Sequence, residues 1–188
     1  MREALRKNAG EDAWEQQVLD GEQYLPIAEL AAIRHGHIAV HEAARFLPGD
    51  VWNHYQKFAV VRNPYDRFIS ACAFLTRGSE VFSTDPLGWM KVALQREQFK
   101  QRVLIQPQSQ QLCDDRGLVA MDYLVRYETL PESFNEVLGK LDLPPVALSR
   151  KNASNHADWR SYYDDELRHM VTEFYQRDLD CFNYRFDQ

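Results

Sequence analysis

The sequence predicts an α/β protein, in which a parallel β-sheet is flanked by helices. Short apolar runs rich in β-branched residues, such as "FAVV" at 58–61, alternate with longer segments that carry apolar residues at helical spacing. Turn residues separate the two kinds of segment, and strands that alternate with helices are typical of a parallel sheet. With 188 residues the chain is long enough to bury a sizeable core, so we expect residues 1–188 to form a single domain.

The central element is the apolar run at 57–61, which predicts a buried strand that ends in Arg-Asn-Pro. Pro64 stands at a favoured first position of a helix. An apolar stripe at helical spacing follows it, formed by Tyr65, Phe68, Cys72 and Leu75. Strand, Arg-Asn turn and helix are therefore predicted as one local unit.

Further elements are predicted on both sides of this unit. Residues 1–8 have a helical pattern, "HIAV" at 37–40 is a short strand candidate, and 41–49 predicts a helix that ends at Pro48 and Gly49. The stretch from about 78 to 118 is polar and partly helical. After it we expect a strand within 122–130, helices at 131–143 and 161–178, and a polar loop at 150–159 between those helices.

Composition argues against several classes of protein. Hydrophobic residues make up 45% and aromatic residues 12% of the chain, which is typical of a folded protein. The net charge of −6 argues against a general nucleic-acid or membrane-surface binder, and no apolar run could cross a bilayer. Cys72, Cys113 and Cys181 lie far apart without metal-ligand spacing, so we expect reduced thiols and a cytoplasmic protein.

Arg62 and Ser70 are candidates for an anion site. Ligands of parallel α/β sheets bind beyond the carboxyl ends of the strands, where Arg62 is placed, and Arg67 and Ser70 share a helix face because they are three residues apart. The planar fork of an arginine can donate two hydrogen bonds to one phosphate. Considered alone, the segment fits equally well with two surface arginines and a small packing serine.

The stretch "VVRNPYDRFIS" resembles the 3′-phosphate-binding segment of the PAPS-dependent sulfotransferases, in which an apolar strand precedes Arg-Asp/Asn-Pro and then Arg and Ser. The resemblance implies that Arg62 and Ser70 hold the 3′-phosphate of 3′-phosphoadenosine-5′-phosphosulfate (PAPS), and that Arg67 supports the turn or the phosphate. It also implies the P-loop-NTPase-like fold of that family.

Three other stretches resemble motifs of the same family more weakly, and they occur in the same order along the chain. "RHGHIAVHEAARF" looks like the His-Gly-His entry of the carbohydrate branch, especially of the uronyl 2-O-sulfotransferases. "LVRYETL" is similar to a strand end at which Tyr127 would lie near the nucleotide. "SRKNASNHADW" resembles the loop that closes over the donor, with Arg150 and Lys151 facing its phosphate. The resemblance covers the chain from about residue 33 to its end. The long stretches between the motifs resemble the family only in the general character of their residues.

His35 and His37 are the candidate catalytic residues. Sulfuryl transfer to a hydroxyl needs a base, and histidine is the side chain best matched to neutral pH. Two residues apart, the histidines share a face if their segment is extended, and we favour His37 as the base. A zinc site at His35, His37 and His41 ranks low because the spacing fits no standard zinc signature, and sulfuryl transfer needs no metal.

One part of the family pattern has no counterpart in the 188 residues. The family holds the 5′-phosphosulfate with a Pro-Lys-x-Gly-(Gly/Thr)-Thr-Ser loop after its first strand, and no Lys-x-Gly-x-Thr occurs here. The opening helix resembles the one that follows this loop. We therefore expect that the loop and first strand lie upstream of this chain or were lost, and that the chain as it stands has little or no transferase activity.

The leading hypothesis is a sulfotransferase that moves a sulfuryl group from PAPS to a hydroxyl, with a carbohydrate or glycan-like acceptor expected from the resemblance. The alternative is a non-catalytic module that binds 3′-phosphoadenosine. An unrelated kinase ranks last, because the sequence has no Walker-type lysine loop. The expected partners are the nucleotide donor and the acceptor, without nucleic acid or a transmembrane segment. A homo-oligomer is left open.

Overall fold

The computed structural model describes Glu29 and residues 37–148 and 158–187. Its elements after Glu29 are, in order, α1 (Val40–Phe46), α2 (Gly49–His54), β1 (Phe58–Val61), α3 (Pro64–Leu75), α4 (Val81–Thr84), α5 (Pro86–Leu94), α6 (Glu97–Lys100), α7 (Gln108–Leu112), β2 (Tyr123–Arg126), α8 (Leu130–Lys140), a 3₁₀ helix (Trp159–Tyr162), α9 (Asp165–Phe174) and α10 (Gln176–Phe182). The combination of helices with a small sheet confirms the predicted α/β class in its coarse form. The missing first strand stays a prediction.

The chain divides into two compact units. Unit 1 comprises Met1–Val60 and Gln111–Arg150, and unit 2 comprises Val61–Gln110 and Lys151–Gln188. That residues 1–188 form a single domain stays a prediction.

Unit 1 contains the pairing of β1 with β2, and the two strands run parallel. The carbonyl oxygen of Lys57, just before β1, accepts hydrogen bonds from the backbone N–H groups of Asp122 (2.8 Å) and Tyr123 (3.1 Å). Both strands therefore start at the same edge. Helix α8 covers this pair, and its apolar face forms the core of the unit: Val125, Phe134, Val137 and Leu138 are buried, with Phe58 and Val60 packed against them.

The predicted strand at 37–40 is wrong. His37 to Ala39 do not form a strand, and Val40 is already the first residue of α1. Ala39 has an extended backbone, and its N–H donates to Glu42 Oε2 at 2.8 Å, so the first helical turn closes back on the preceding residue. The cap and the helix formers that follow it decide the structure here, because the run of three apolar residues is too short to override them.

Unit 2 is organised around α3. Of the predicted apolar stripe, Tyr65, Phe68 and Cys72 are buried and Leu75 is partly buried, and Ile69 of the same helix is fully buried as well. Helix α9 packs against α3 and α5. Tyr65, at the start of α3, stacks on Trp159 with 6.1 Å between ring centroids and meets the edges of Tyr163 and Phe186. None of Cys72, Cys113 and Cys181 forms a disulfide.

The predicted single helix at 161–178 is also wrong in its bounds. The chain forms the 3₁₀ helix Trp159–Tyr162, then α9 and α10, with Tyr175 between the last two. A continuous helix cannot run through Asp164, because the Asp164 carboxylate accepts the N–H of Leu167 at 2.8 Å and so caps the start of α9. Asp164 also pairs with Lys91 of α5 at 2.6 Å.

We predict that Asp164 contributes to the acid sensitivity of the fold. The Leu167 N–H and then Lys91 hold the pKa of Asp164 below its usual value. Stability from a carboxylate of lowered pKa is present above its unfolded-state pKa of about 3.9 and is lost as the pH falls through the folded-state value. Asp164→Asn should lower the free energy of unfolding at pH 7 and flatten its decline below about pH 4.

Urea unfolding followed at several pH values measures this effect. Asp165→Asn, at the neighbouring exposed position, serves as the control and should follow the wild-type curve. An Asp164→Asn variant with unchanged pH dependence would contradict the assignment.

Candidate functional site

The candidate site begins where β1 ends. Val61, the last residue of the strand, is fully buried, and Arg62 follows it directly. The backbone N–H of Arg62 donates to Gln108 Oε1 at 3.0 Å. The first residue beyond the strand is therefore fixed by a side chain from α7.

The Asn-Pro pair turns the chain from strand into helix. Asn63 is only 2% exposed, and its Oδ1 accepts the N–H of Tyr65 at 3.1 Å, so the side chain caps α3. Its Nδ2 donates to the carbonyl oxygen of Arg185 at 3.0 Å. Pro64 occupies the first helical position, as predicted. Because the Asn63 side chain uses both its donor and its acceptor, the direction in which Arg62 leaves the strand is well determined.

The guanidinium of Arg62 is held by Asp66 in a two-point contact. Arg62 Nε lies 2.7 Å from Asp66 Oδ2, and Arg62 Nη2 lies 2.8 Å from Asp66 Oδ1. The two side chains are only 16% and 13% exposed. Planar pairing of this kind fixes the plane of the guanidinium, and it engages two of the five N–H donors that an arginine carries.

Ser70 lies on the same face of α3 as Asp66. Residues four apart in a helix are neighbours, with about 5–6 Å between their Cβ atoms. The carboxylate that anchors the fork of Arg62 therefore lies one helical turn before half-buried Ser70. A shared phosphate contact of Arg62 and Ser70 stays a prediction.

Arg67 has a second set of neighbours inside unit 2. Burial raises the pKa of both Tyr175 and Asp178. The charge of Arg67 lies close enough to both groups to lower their pKa, but burial is the larger effect. Arg67 Nη1 is buried and has no hydrogen-bond partner within the described parts of the chain. The role of Arg67 at the phosphate stays a prediction, and its position gives it a structural role as well.

Gln108 and Asp178 are the residues that sequence reasoning missed. Asp178 is fully buried, and its carboxylate accepts the N–H groups of Gln108 (2.8 Å) and Ser109 (2.7 Å) at the start of α7. Gln108 in turn holds Arg62. The sequence only suggests a polar helix start at 106–112, and nothing in it links that start to residues 62 and 178.

The remaining predicted residues lie elsewhere or outside the description. His37 is exposed, in the segment that leads into α1, and Tyr127 is 41% exposed directly after β2; both belong to unit 1. His35, Arg150 and Lys151 lie outside the described residues. The roles of these five residues stay predictions.

The described residues contain neither a cluster of metal ligands nor a membrane-spanning helix. Within 37–148 and 158–187, no group of three or more His, Cys, Asp or Glu side chains is placed to hold a metal ion. No helix in this part of the chain is both long and apolar enough to cross a membrane.

Comparison with known proteins identifies the family. The sequence profile of the sulfotransferase family matches residues 37–185, the range that contains Arg62 and Ser70. None of the curated proteins and none of the solved structures compared with the chain matches it significantly. The predicted carbohydrate branch therefore stays a prediction. Because the match covers well over half of the 188 residues, the chain belongs to the sulfotransferase family.

Proposed function

We propose that the protein transfers a sulfuryl group from PAPS to a hydroxyl of a carbohydrate or glycan-like acceptor. The family generally uses PAPS as its donor. The observation that carries the proposal is the oriented fork of Arg62 at the end of β1, anchored at Asp66, which lies one helical turn before Ser70 on α3. In the proposal these two side chains bind the 3′-phosphate of the donor.

Arg62 and Ser70 are residue types that suit a phosphate group. A terminal phosphate offers several oxygens, so it can accept hydrogen bonds from a guanidinium and a hydroxyl at once. Asp66 offsets part of the positive charge, so recognition depends more on the fixed orientation of the fork than on net charge. Arg67, Tyr127, Arg150 and Lys151 are proposed as further contacts of the nucleotide.

His37 is proposed as the base of the reaction, and His35 as the residue that orients the acceptor. The base takes the proton of the acceptor hydroxyl, whose oxygen then forms a bond to sulfur. The bond between sulfur and the phosphate oxygen of the donor breaks, and 3′-phosphoadenosine-5′-phosphate leaves. No step needs a metal. A cytoplasmic location and a homo-oligomeric state also stay proposals.

The second candidate function is a module that binds 3′-phosphoadenosine without transferring sulfate. The observation in its favour is the absence of a Pro-Lys-x-Gly loop from the 188 residues. Such a loop supplies backbone N–H groups and a lysine that stabilise charge on the leaving oxygen. Both candidates share the site at Arg62 and Ser70, and they differ only in turnover.

Arg62→Lys should weaken binding of 3′-phosphoadenosine-5′-phosphate about ten-fold, because lysine is a point donor without a planar fork. Calorimetric titration of the 188-residue chain measures this. Arg77→Lys makes the same change at an exposed position just beyond α3 and should bind like the wild type. Equal affinities for the two variants would contradict the proposed phosphate contact.

Gln108→Ala should lower the free energy of unfolding by about 1–3 kcal/mol, because it leaves the Arg62 N–H without its acceptor. It should also weaken binding of the same nucleotide, since Arg62 loses a constraint. Gln110→Ala, at an exposed position of the same helix, is the matched control. If Gln108→Ala bound the nucleotide as tightly as the control, Gln108 would have no role in positioning Arg62.

Transfer of radioactive sulfate from labelled PAPS to a panel of glycans tests the expectation about turnover, and nucleotide binding measured beside it tests the site that both candidates share. Because the chain has no 5′-phosphosulfate loop, we expect nucleotide binding with little or no transfer by these 188 residues. Robust transfer would contradict the expectation about the loop and establish the enzyme. A chain that neither binds the nucleotide nor transfers sulfate would refute both candidates.

A further inference from the structure

Unit 1 contains a cleft of about 640 Å³ that the phosphate site does not include. Its walls are one side of α1, Trp52 of α2, Lys57 before β1, and the loop 114–122 that leads into β2. The volume is within the range of small-molecule sites, which is about 300–1,000 Å³. The cleft is therefore large enough for one or two sugar rings.

The loop that forms one wall is held in shape by Asp114. Its Oδ1 accepts the N–H groups of Arg116 (3.0 Å) and Leu118 (2.9 Å), and its Oδ2 accepts from Arg116 Nε (3.0 Å) and Nη2 (2.9 Å). Gly117 supplies the positive φ of 83° that the turn needs. This wall is therefore preformed and presents polar groups to the cleft.

Lys57 fixes another part of the cleft wall. Its backbone N–H donates to Asp122 Oδ2 at 2.7 Å, and its Nζ lies 3.0 Å from the same oxygen. The Nζ also donates to the carbonyl oxygens of Trp52 (3.3 Å) and Tyr55 (3.1 Å) and lies 5.3 Å from the centre of the Trp52 ring. These contacts hold the indole of Trp52 in place at the cleft.

The cleft carries charges of both signs in equal number. Three carboxylates line it, those of Asp114, Asp115 and Asp122, and so do three basic side chains, those of Arg45, Lys57 and Arg116. The N–H of Leu118 lowers the pKa of Asp114, and the N–H of Lys57 lowers that of Asp122, so both are charged at neutral pH. Because the charges balance, the cleft offers no net attraction to an ionic ligand of either sign, whereas a neutral hydroxylated ligand can donate to the carboxylates and accept from the basic side chains.

We infer that this cleft binds the acceptor, and that the acceptor is a neutral, polyhydroxylated ring rather than a uronic acid or an already sulfated sugar. Trp52 supplies an apolar surface for the face of the ring, and Asp115 and Arg116 supply a hydrogen-bond acceptor and donors for its hydroxyls. Asp115 is exposed, and the Arg116 side chain is 79% exposed, so both can reach a ligand.

The position of His37 agrees with this assignment, which rests on the proposed function. His37 precedes Val40, a residue of the cleft wall, by three positions. Three extended residues span at most about 10–11 Å. The proposed base therefore lies close to the cleft along the chain.

The test is direct binding in the absence of nucleotide. The probes are cellobiose, maltose and lactose as neutral sugars, and glucuronic acid and a heparin-derived disaccharide as anionic ones. Binding to the 188-residue chain is followed by ligand-observed NMR and calorimetry. We expect at least one neutral sugar to bind more tightly than both anionic probes, and Trp52→Ala and Asp115→Asn each to weaken it about ten-fold.

Asp142→Asn is the control, because Asp142 is exposed in the same unit and its positive φ of 55° suits asparagine. Asp115→Asn keeps the test valid if Trp52→Ala fails to fold. Absence of neutral-sugar binding, equal weakening by the control, or tighter binding of the anionic probes would each overturn the inference. So would loss of nucleotide binding in Trp52→Ala with its fold intact. Wild-type binding of 3′-phosphoadenosine-5′-phosphate, measured in parallel, shows whether the proposed function stands when the sugar result fails.

Discussion

The paired contact between Arg62 and Asp66 is the interaction on which the candidate donor site depends. An arginine side chain has several rotatable bonds, and ordering it costs conformational entropy of up to about 2 kcal/mol. In this protein the Arg62 side chain is ordered on folding, before any ligand binds, because Nε and Nη2 of its guanidinium are both bound to the Asp66 carboxylate in the first turn of α3. A phosphate that arrives at this site would meet a guanidinium whose plane is already set.

The backbone beneath this pair is constrained as strictly as the side chain. Asn63 ties the turn to the carbonyl of Arg185, and Gln108 ties the Arg62 N–H to α7. The start of α7 is in turn held by Asp178, a fully buried carboxylate. Burial raises the pKa of Asp178, and two backbone N–H groups and the charge of Arg67 act against this effect. The interior of unit 2 thus uses charged groups to hold the edge of the site.

Local rules were enough to predict the segment from β1 to α3. The apolar run, the Arg-Asn turn, the first-turn proline and the apolar stripe follow one another within 58–75, so the patterns that predict them can be read locally, although the Asn63 side chain also makes a long-range contact with Arg185. The prediction of a strand at 37–40 failed because the cap between Ala39 and Glu42 and the helix formers that follow it outweigh a run of three apolar residues. The last helix was predicted as continuous because the side-chain cap at Asp164 and the break at Tyr175 are local details within an otherwise helical pattern.

The contacts of Gln108 and Asp178 with the candidate site could not be predicted, since they join residues 46 and 70 positions apart in the chain. The same is true of the mixed-charge cleft in unit 1. The most direct test of the account is a crystal structure of the protein with 3′-phosphoadenosine-5′-phosphate. We predict that the 3′-phosphate accepts hydrogen bonds from the Arg62 guanidinium and the Ser70 hydroxyl. A nucleotide whose 3′-phosphate contacts neither side chain would contradict the central claim.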